Sequence, residues 1–232
     1  MKGYKSARVA GAVFRTVLTL LIFAVVGIVV WRVFFSTRLP GEVKYLRENE
    51  VLSAAWRETD GNLTFRRQEQ ASITRAEHNN GYFSVVDCVF IPEAKQVQLV
   101  FRYNNSTIRH LAQDYGLEQV PDKSEDLFEV TLLRTTDLTP TDKSDNGNPD
   151  TLKKERIYPT SAVRAETSLY TYIRFVFDGV SVESDTDGVF ADVYYRGDID
   201  YTKSAYGTLC LCADGDKWLT YSLSSGDKKA LH

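Results

Sequence analysis

The chain is poor in the residues that bind metals or react as thiols. Its 232 residues include three Cys, three His and one Met. Because these residues are few and scattered, we predict no metal site, no catalytic residues and no cofactor. The odd number of cysteines leaves at least one thiol outside any intrachain disulfide. We expect either small buried core residues or a structural disulfide of Cys88 with Cys210 or Cys212.

The chain also lacks an excess of charge of either sign. Lys and Arg together number 28, Asp and Glu together number 31, and the formal net charge is -3. A nucleic-acid-binding domain usually carries a clear basic excess, so we predict no nucleic-acid partner. The hydrophobic fraction of 43% and the charged fraction of 25% are typical of a folded domain.

One long hydrophobic run stands out against this ordinary composition. Residues 16–31, TVLTLLIFAVVGIVVW, contain no charged side chain, and the apolar triplet VFF follows Arg32. A helix over 16–35 would be roughly 30 Å long, which matches the hydrocarbon core of a bilayer. A cleaved signal peptide would look similar, but this run ends in WRVFFSTRLPG, without the small residues that cleavage requires. We therefore predict an uncleaved transmembrane helix at 16–35, with the lipid bilayer as its partner.

Basic residues precede the predicted span. Lys2, Lys5, Arg8 and Arg15 lie in the first fifteen residues, which contain no acidic side chain. Positively charged flanks usually remain in the cytoplasm. We expect residues 1–15 to form a cytoplasmic N-terminus and the C-terminal part of the chain to lie outside.

The region after the span has a different composition. Leu39-Pro40-Gly41 ends the helix, and residues 42–58 are rich in good helix formers. A polar stretch follows and finishes in the turn sequence Asn79-Asn80-Gly81. We predict that residues 40–80 form a juxtamembrane stalk with a short helix.

Segments with alternating apolar side chains dominate the remainder, residues 81–232. No strand–helix–strand rhythm connects them, so the pattern predicts an all-β domain built as an antiparallel β-sandwich. An immunoglobulin-like topology is our working hypothesis, although no Trp lies between Cys88 and Cys210 as it does in true immunoglobulin domains. The predicted strands are 82–91, 97–103, 127–133, 156–166, 170–177, 189–195, 208–213 and 217–223.

A tyrosine-rich stretch at 193–207 has the composition of a recognition loop. Tyrosine rings offer rigid aromatic area with a polar handle, and arginine is enriched at binding hot spots. Residues 196–198 also spell Arg-Gly-Asp, a tripeptide that some adhesion receptors read. The alternative is ordinary strand packing with the hydroxyls at the rim. The candidate partner-binding residues are Tyr194, Tyr195, Arg196, Tyr201 and Tyr206.

Three predicted loops carry residues that could support other chemistry. Residues 104–126 contain a predicted helical turn capped by Ser106, on which His110 and Asp114 are spaced to pair, but nothing there has the context of a hydrolase nucleophile. The acidic stretches 142–150 and 183–188 are interpreted as turns rather than calcium loops. The polar loop 137–151 is expected to be mobile.

Two functions remain open on the sequence. The first is a non-enzymatic, single-pass membrane protein whose outer domain binds another membrane or envelope protein, or serves as an accessory subunit. The alternative is a membrane-tethered hydrolase acting on envelope polymers, which would need two carboxylates converging in one groove about 5–10 Å apart. The carboxylates available for such a pair are Asp185, Asp187, Asp192, Asp198 and Asp200.

Overall fold

The computed structural model describes residues 3–67, 83–136, 153–181, 188–198, 205–212 and 219–220. In these ranges the helices are α1 (Gly3–Thr37), α2 (Gly41–Lys44), α3 (Glu50–Glu58) and α4 (Asn105–Asp114). The first strands are β1 (Arg66–Arg67), β2 (Phe83–Ile91), β3 (Gln96–Asn104), β4 (Phe128–Thr136) and β5 (Lys153–Ile157). The later strands are β6 (Ser161–Glu166), β7 (Tyr170–Asp178), β8 (Gly188–Tyr195), β9 (Gly207–Cys212) and β10 (Leu219–Thr220).

The strands form two antiparallel sheets. Sheet A has the order β10-β1-β2-β3-β7-β6, and sheet B has the order β5-β4-β8-β9. Every strand pairing in the described ranges is antiparallel. The structure thus confirms that the chain is mostly β, with two antiparallel sheets and an N-terminal apolar helix.

One hydrophobic core is shared by both sheets and by α4. We call the face of sheet A that contributes to it the inner face, and the opposite face the outer face. Alternate residues of a strand point to opposite faces, which explains why every second residue of β3 lies in this core. Sheet A contributes chiefly Val97, Leu99, Phe101, Tyr103, Ile173, Phe175 and Phe177, and sheet B contributes Phe128, Val130, Leu132, Val189, Ala191, Val193, Leu209 and Leu211.

A β-bulge in β2 changes which residues face inward. The pairing of β2 with β3 shifts register between Val85 and Asp87. As a result both Val85 and Cys88 lie in the shared core, although their spacing of three would place them on opposite faces of a regular strand. Asp87 therefore lies on the outer face, beside Val100 of β3.

The predicted strand 156–166 is two strands in different sheets. β5 ends at Ile157 as an edge of sheet B, and β6 begins at Ser161 as an edge of sheet A. Pro159 separates them, since its fixed φ and missing N–H group prevent a continuous ladder. The sequence pattern predicted one strand here and did not reveal that the chain changes sheets.

The loop after β3 begins with helix α4, whose cap differs from the one expected. Asn104, rather than Ser106, is the N-cap, and its side chain accepts a hydrogen bond from the Thr107 N–H at 3.0 Å. The Thr107 hydroxyl lies 3.3 Å from the Asn104 N–H and completes a capping box. Ile108 and Leu111 of α4 enter the shared core.

Candidate functional site

Helix α1 exposes a long surface that is mostly apolar. Its stretch Val13–Phe35 has 23 residues and a mean hydropathy of 2.6, and no part of it is buried. At 1.5 Å per residue it extends about 34 Å, enough to cross a hydrocarbon core about 30 Å thick. By length and composition it is the one helix, within the part of the chain that the structure describes, that could span a membrane.

Residues 38–65, which we call the juxtamembrane segment, pack along the outer face of sheet A. Only Arg38 separates the end of α1 from Leu39, which packs against a cluster centred on Val43 and Tyr172. Further along, the segment and sheet A form a second apolar cluster that contains Leu46, Leu52, Ala55, Phe65, Val89, Ile91 and Ala94. The apolar helix is therefore connected to the sheet without a long flexible linker. The described part of the predicted stalk lies on the sheet in this way, and the domain boundaries stay predictions.

Polar side chains stand in three cross-strand rows beneath the juxtamembrane segment. The strand register places them side by side on β2, β3 and β7. Each row contains at least one residue that would be unusual in an apolar core. The rows are Asp87–Val100–Arg174, Val89–Gln98–Val176 and Ile91–Gln96–Asp178.

The first row contains a buried ion pair. The Arg174 side chain is fully buried, and its Nη2 lies 3.0 Å from Oδ2 of Asp87, which is 5% exposed. Arg174 also donates from Nε to the Val43 carbonyl at 2.9 Å and from Nη2 to the Lys44 carbonyl at 3.2 Å. These carbonyls belong to the last two residues of helix α2, and the last C=O groups of a helix lack intrahelical partners. One buried cation thus connects the sheet to the backbone of the juxtamembrane segment.

The second and third rows bind the same segment through amide groups. Gln98 accepts from the Arg47 N–H and donates to the Arg47 carbonyl, both at 2.8 Å. Gln96 donates to Oδ1 of Asn49 at 3.0 Å and to Oδ1 of Asp178 at 2.7 Å. Asn49 is also the N-cap of α3, so these bonds fix both the position and the start of that helix.

The tyrosines predicted to bind a partner are mostly packed inside the protein. Tyr194 is 3% exposed and lies 3.4 Å, through its hydroxyl, from Oδ2 of Asp192. Tyr195 is 7% exposed and belongs to the shared core. Burial is the main cause that raises the pKa of both phenols, and the Asp192 charge adds to it for Tyr194. The buried rings leave little surface for recognition, and their binding role stays a prediction.

Tyr206 and Arg196 are more accessible. Tyr206 is half-buried, stacks on Phe128 at 6.1 Å between ring centroids, and donates its hydroxyl to Oδ2 of Asp114 at 2.7 Å. The structure thus gives Asp114 the Tyr206 hydroxyl as a partner. The pairing of Asp114 with His110 that their spacing allows stays a prediction. Arg196 is exposed, with Nε 4.0 Å from Oε2 of Glu129. Tyr201 lies outside the described residues.

The Arg-Gly-Asp tripeptide forms the turn that follows β8. A side chain at Gly197 would collide with the Tyr195 ring, which is a packing reason for glycine at this position. Of the aspartates required by the hydrolase alternative, Asp192 is 7% exposed on β8 and Asp198 is half-buried after the turn. Outside the described residues lie Asp185, Asp187, Asp200, most of 183–188, and the whole loop 137–151 with its acidic stretch 142–150.

Cys88 lies in the shared core with no exposed surface. The strand β9 contains the backbone of Cys210 and Cys212, but their side chains lie outside what the structure describes. The disulfide stays a prediction. Among the described residues, no group of three His, Cys, Asp or Glu side chains is placed to hold a metal ion.

Comparison of the chain with protein-family models, with curated proteins and with solved structures finds no match. The proposals below rest on the geometry and the sequence of this chain alone.

Proposed function

We propose that this chain is a single-pass membrane protein that holds its C-terminal domain outside the cytoplasm. The domain serves as a non-enzymatic binding or accessory subunit of a membrane or envelope complex. We further propose that the two sheets stack as an antiparallel β-sandwich, with an immunoglobulin-like topology as the working hypothesis. The sandwich is supported by the single core to which both sheets contribute.

The observation that carries the proposal is the exposed apolar helix joined directly to a sheet. A 23-residue apolar stretch with no buried part would be strongly unfavourable in water. A bilayer removes that cost, and the length of the stretch fits it. The ion pair and amide contacts that fasten the juxtamembrane segment then hold the domain close to the membrane surface.

The orientation is supported by charge. Four basic residues lie in the first fifteen positions, whereas three, Arg38, Lys44 and Arg47, lie in the first fifteen positions after residue 35. The positive-inside rule favours a cytoplasmic N-terminus on this pattern. The accessory role is supported by the sequence, in which His and Cys are few and no catalytic motif stands out.

The test uses the full-length chain with a C-terminal epitope tag, in native membranes. We expect the chain to remain in the membrane after alkaline carbonate washing, and its intact mass to include residues 1–35. Protease added to sealed right-side-out vesicles should remove the tag. A matched variant that lacks residues 1–37 should leave the membrane fraction.

Three results would contradict the proposal: release by carbonate, a mature mass that begins after about residue 36, or a tag that is protected until the vesicles are opened. For the accessory role, cross-linking followed by purification in detergent should give a protein partner in fixed stoichiometry. A full-length chain that is correctly inserted but monomeric would argue against that role while leaving the anchor intact.

A further inference from the structure

We propose that the end of the domain carrying the β6–β7 turn docks on the lipid head-group layer beside the anchor. The bilayer would then contact the folded domain as well as helix α1. This inference rests on the proposed membrane span and deepens it, because it names the surface of the domain that meets the lipid.

The β6–β7 turn reaches the part of α1 that lies inside the apolar stretch. Nε of Arg32 lies 3.5 Å from the Ser168 hydroxyl. Arg32 precedes the end of the stretch, Phe35, by three residues, or about 4.5 Å of helix. A guanidinium at that depth directs its charge toward the head groups. Its partner Ser168 is then placed in the same layer.

A second set of contacts holds the same end of sheet A against the anchor. The Arg38 guanidinium lies over the Phe34 ring, 4.0 Å from its centroid. The next residue, Leu39, packs in the cluster that includes Val163 and Tyr170. The height of the turn relative to the helix is therefore fixed from two sides, and the domain has little freedom to rise away from the bilayer.

The loop between α4 and β4 borders this turn and exposes an aliphatic side chain. Nζ of Lys123 lies 3.6 Å from Oε2 of Glu166, two residues before Ser168. The Arg164 guanidinium donates to the carbonyls of Ser124 and Glu125, both at 2.8 Å. In the same loop Val120 is 58% exposed at the rim of an open groove of about 530 Å³.

The charges at this end are mixed. Arg109 and Lys123 lie near Glu118 and Asp122, so α4 and the loop after it have no basic excess to attract anionic lipids. The driving force is the enforced closeness to the anchor together with burial of apolar surface at the interface, not net charge. Docking should therefore occur on zwitterionic lipid and change little when anionic lipid is added.

The experiment uses full-length protein in phosphatidylcholine nanodiscs, with one genetically encoded fluorescent residue per variant and nitroxide-labelled lipid as the quencher. The label replaces Ser168 or Val120. The matched control replaces Ser161, an exposed serine at the other end of strand β6 and about 20 Å from the turn. The label at Val120 leaves the Arg32–Ser168 contact intact, so the two positions report independently.

We expect head-group nitroxide to quench the emission at Ser168 and at Val120 strongly, because both positions would lie in the head-group layer. Emission at Ser161 should barely change. Docking of the domain end would be overturned if the emission were quenched at neither Ser168 nor Val120. It would also be overturned if the emission were quenched at Ser168 alone. Quenching at Ser161 as strong as at Ser168 would also overturn it, since contact would not be confined to this end.

A fourth label at Val26, in the middle of the span, separates the two proposals. Acyl-chain nitroxide should quench it strongly, because this residue lies near the bilayer centre if α1 crosses the membrane. Loss of quenching at Val26 would contradict the membrane span itself. Quenching at Val26 without quenching at Ser168 and Val120 would contradict only the docking.

Discussion

The two faces of sheet A are buried in different chemical environments. On β3 the inner face presents Val97, Leu99 and Phe101 to the shared core, whereas the outer face presents Gln96 and Gln98 to the juxtamembrane segment. Both faces are buried along this strand from Gln96 to Phe101. The inner face can be filled by any apolar side chains of the right volume. The outer face fits only a backbone with matching donors and acceptors.

This difference indicates what each face contributes. Apolar burial is non-directional, so the inner face supplies stability without defining one position for its partner. Hydrogen bonds and ion pairs are directional, and a buried polar group left without a partner is costly. The outer face therefore defines one register for the segment that follows the apolar helix α1. These directional contacts fit the proposed function, in which the domain is held at a fixed height above a membrane.

The largest expected effect comes from removing the buried carboxylate in Asp87→Ala. The Arg174 cation would remain in the protein interior without its anion, which typically costs about 3–5 kcal/mol. Urea unfolding of the full-length protein in detergent, followed by circular dichroism, measures the loss. The contact of Asp87 with Arg67, a half-exposed side chain, contributes much less.

A double variant shows whether the loss comes from the stranded charge. Asp87→Ala combined with Arg174→Met removes both charges, so part of the stability should return, although the Val43 and Lys44 carbonyls lose their Arg174 donor. On the inner face, Phe101→Ala should also lower the free energy of unfolding by about 3–5 kcal/mol. It leaves no unpaired charge, so no second substitution of a charged partner could restore the stability. A double variant no more stable than Asp87→Ala would contradict this account of the outer face.

A smaller and more local effect is expected for Gln98→Leu. The substitution removes both bonds to the Arg47 backbone, leaving its N–H and C=O without these partners at a cost of about 1–3 kcal/mol. Hydrogen–deuterium exchange should speed up at the Arg47 amide more than at the amides of β4 and β8. Leu99→Val, the inner-face neighbour, is the control and should change exchange evenly across the domain. Equal acceleration in both variants would remove the distinction between the two faces.

The sequence predicted the features that depend on local pattern. Uniform hydropathy marked the apolar helix, and apolar alternation marked most strands, because both signals come from neighbouring residues. The structure confirms the apolar helix and the two antiparallel sheets. The bulge at Asp87 was not predictable in this way. The bulge reverses the alternation of inward-facing and outward-facing residues in the middle of β2. Because that strand is apolar on both faces, the hydrophobic pattern does not show the reversal.

The polar network was missed for a different reason. Arg174 interacts with Val43, which is 131 positions away in the chain, and Gln98 with Arg47, 51 positions away. In the sequence these side chains look like polar interruptions of apolar strands. A useful signal was present, however: Gln96, Gln98 and Arg174 lie on strands whose other face is strongly apolar. Polar residues at such central positions indicate a polar partner that covers the second face.

The smallest expected effect is the pH dependence that comes from buried tyrosines on both faces. Burial raises the pKa of Tyr103 on the inner face and of Tyr172 on the outer face above the ordinary value of 10.0. In the unfolded chain these phenols ionise at their ordinary pKa, before the phenols of the folded chain do. Their contribution to the free energy of unfolding is therefore complete at pH values below the ordinary pKa, and it is lost as the pH rises through the folded pKa. Urea midpoints should therefore fall between about pH 9 and about pH 11. Tyr103→Phe should flatten part of the decline, whereas Tyr158→Phe, at a position that is 55% exposed, is the matched control. A decline of the same size in Tyr103→Phe and the unaltered chain would show that this inner-face tyrosine does not cause it.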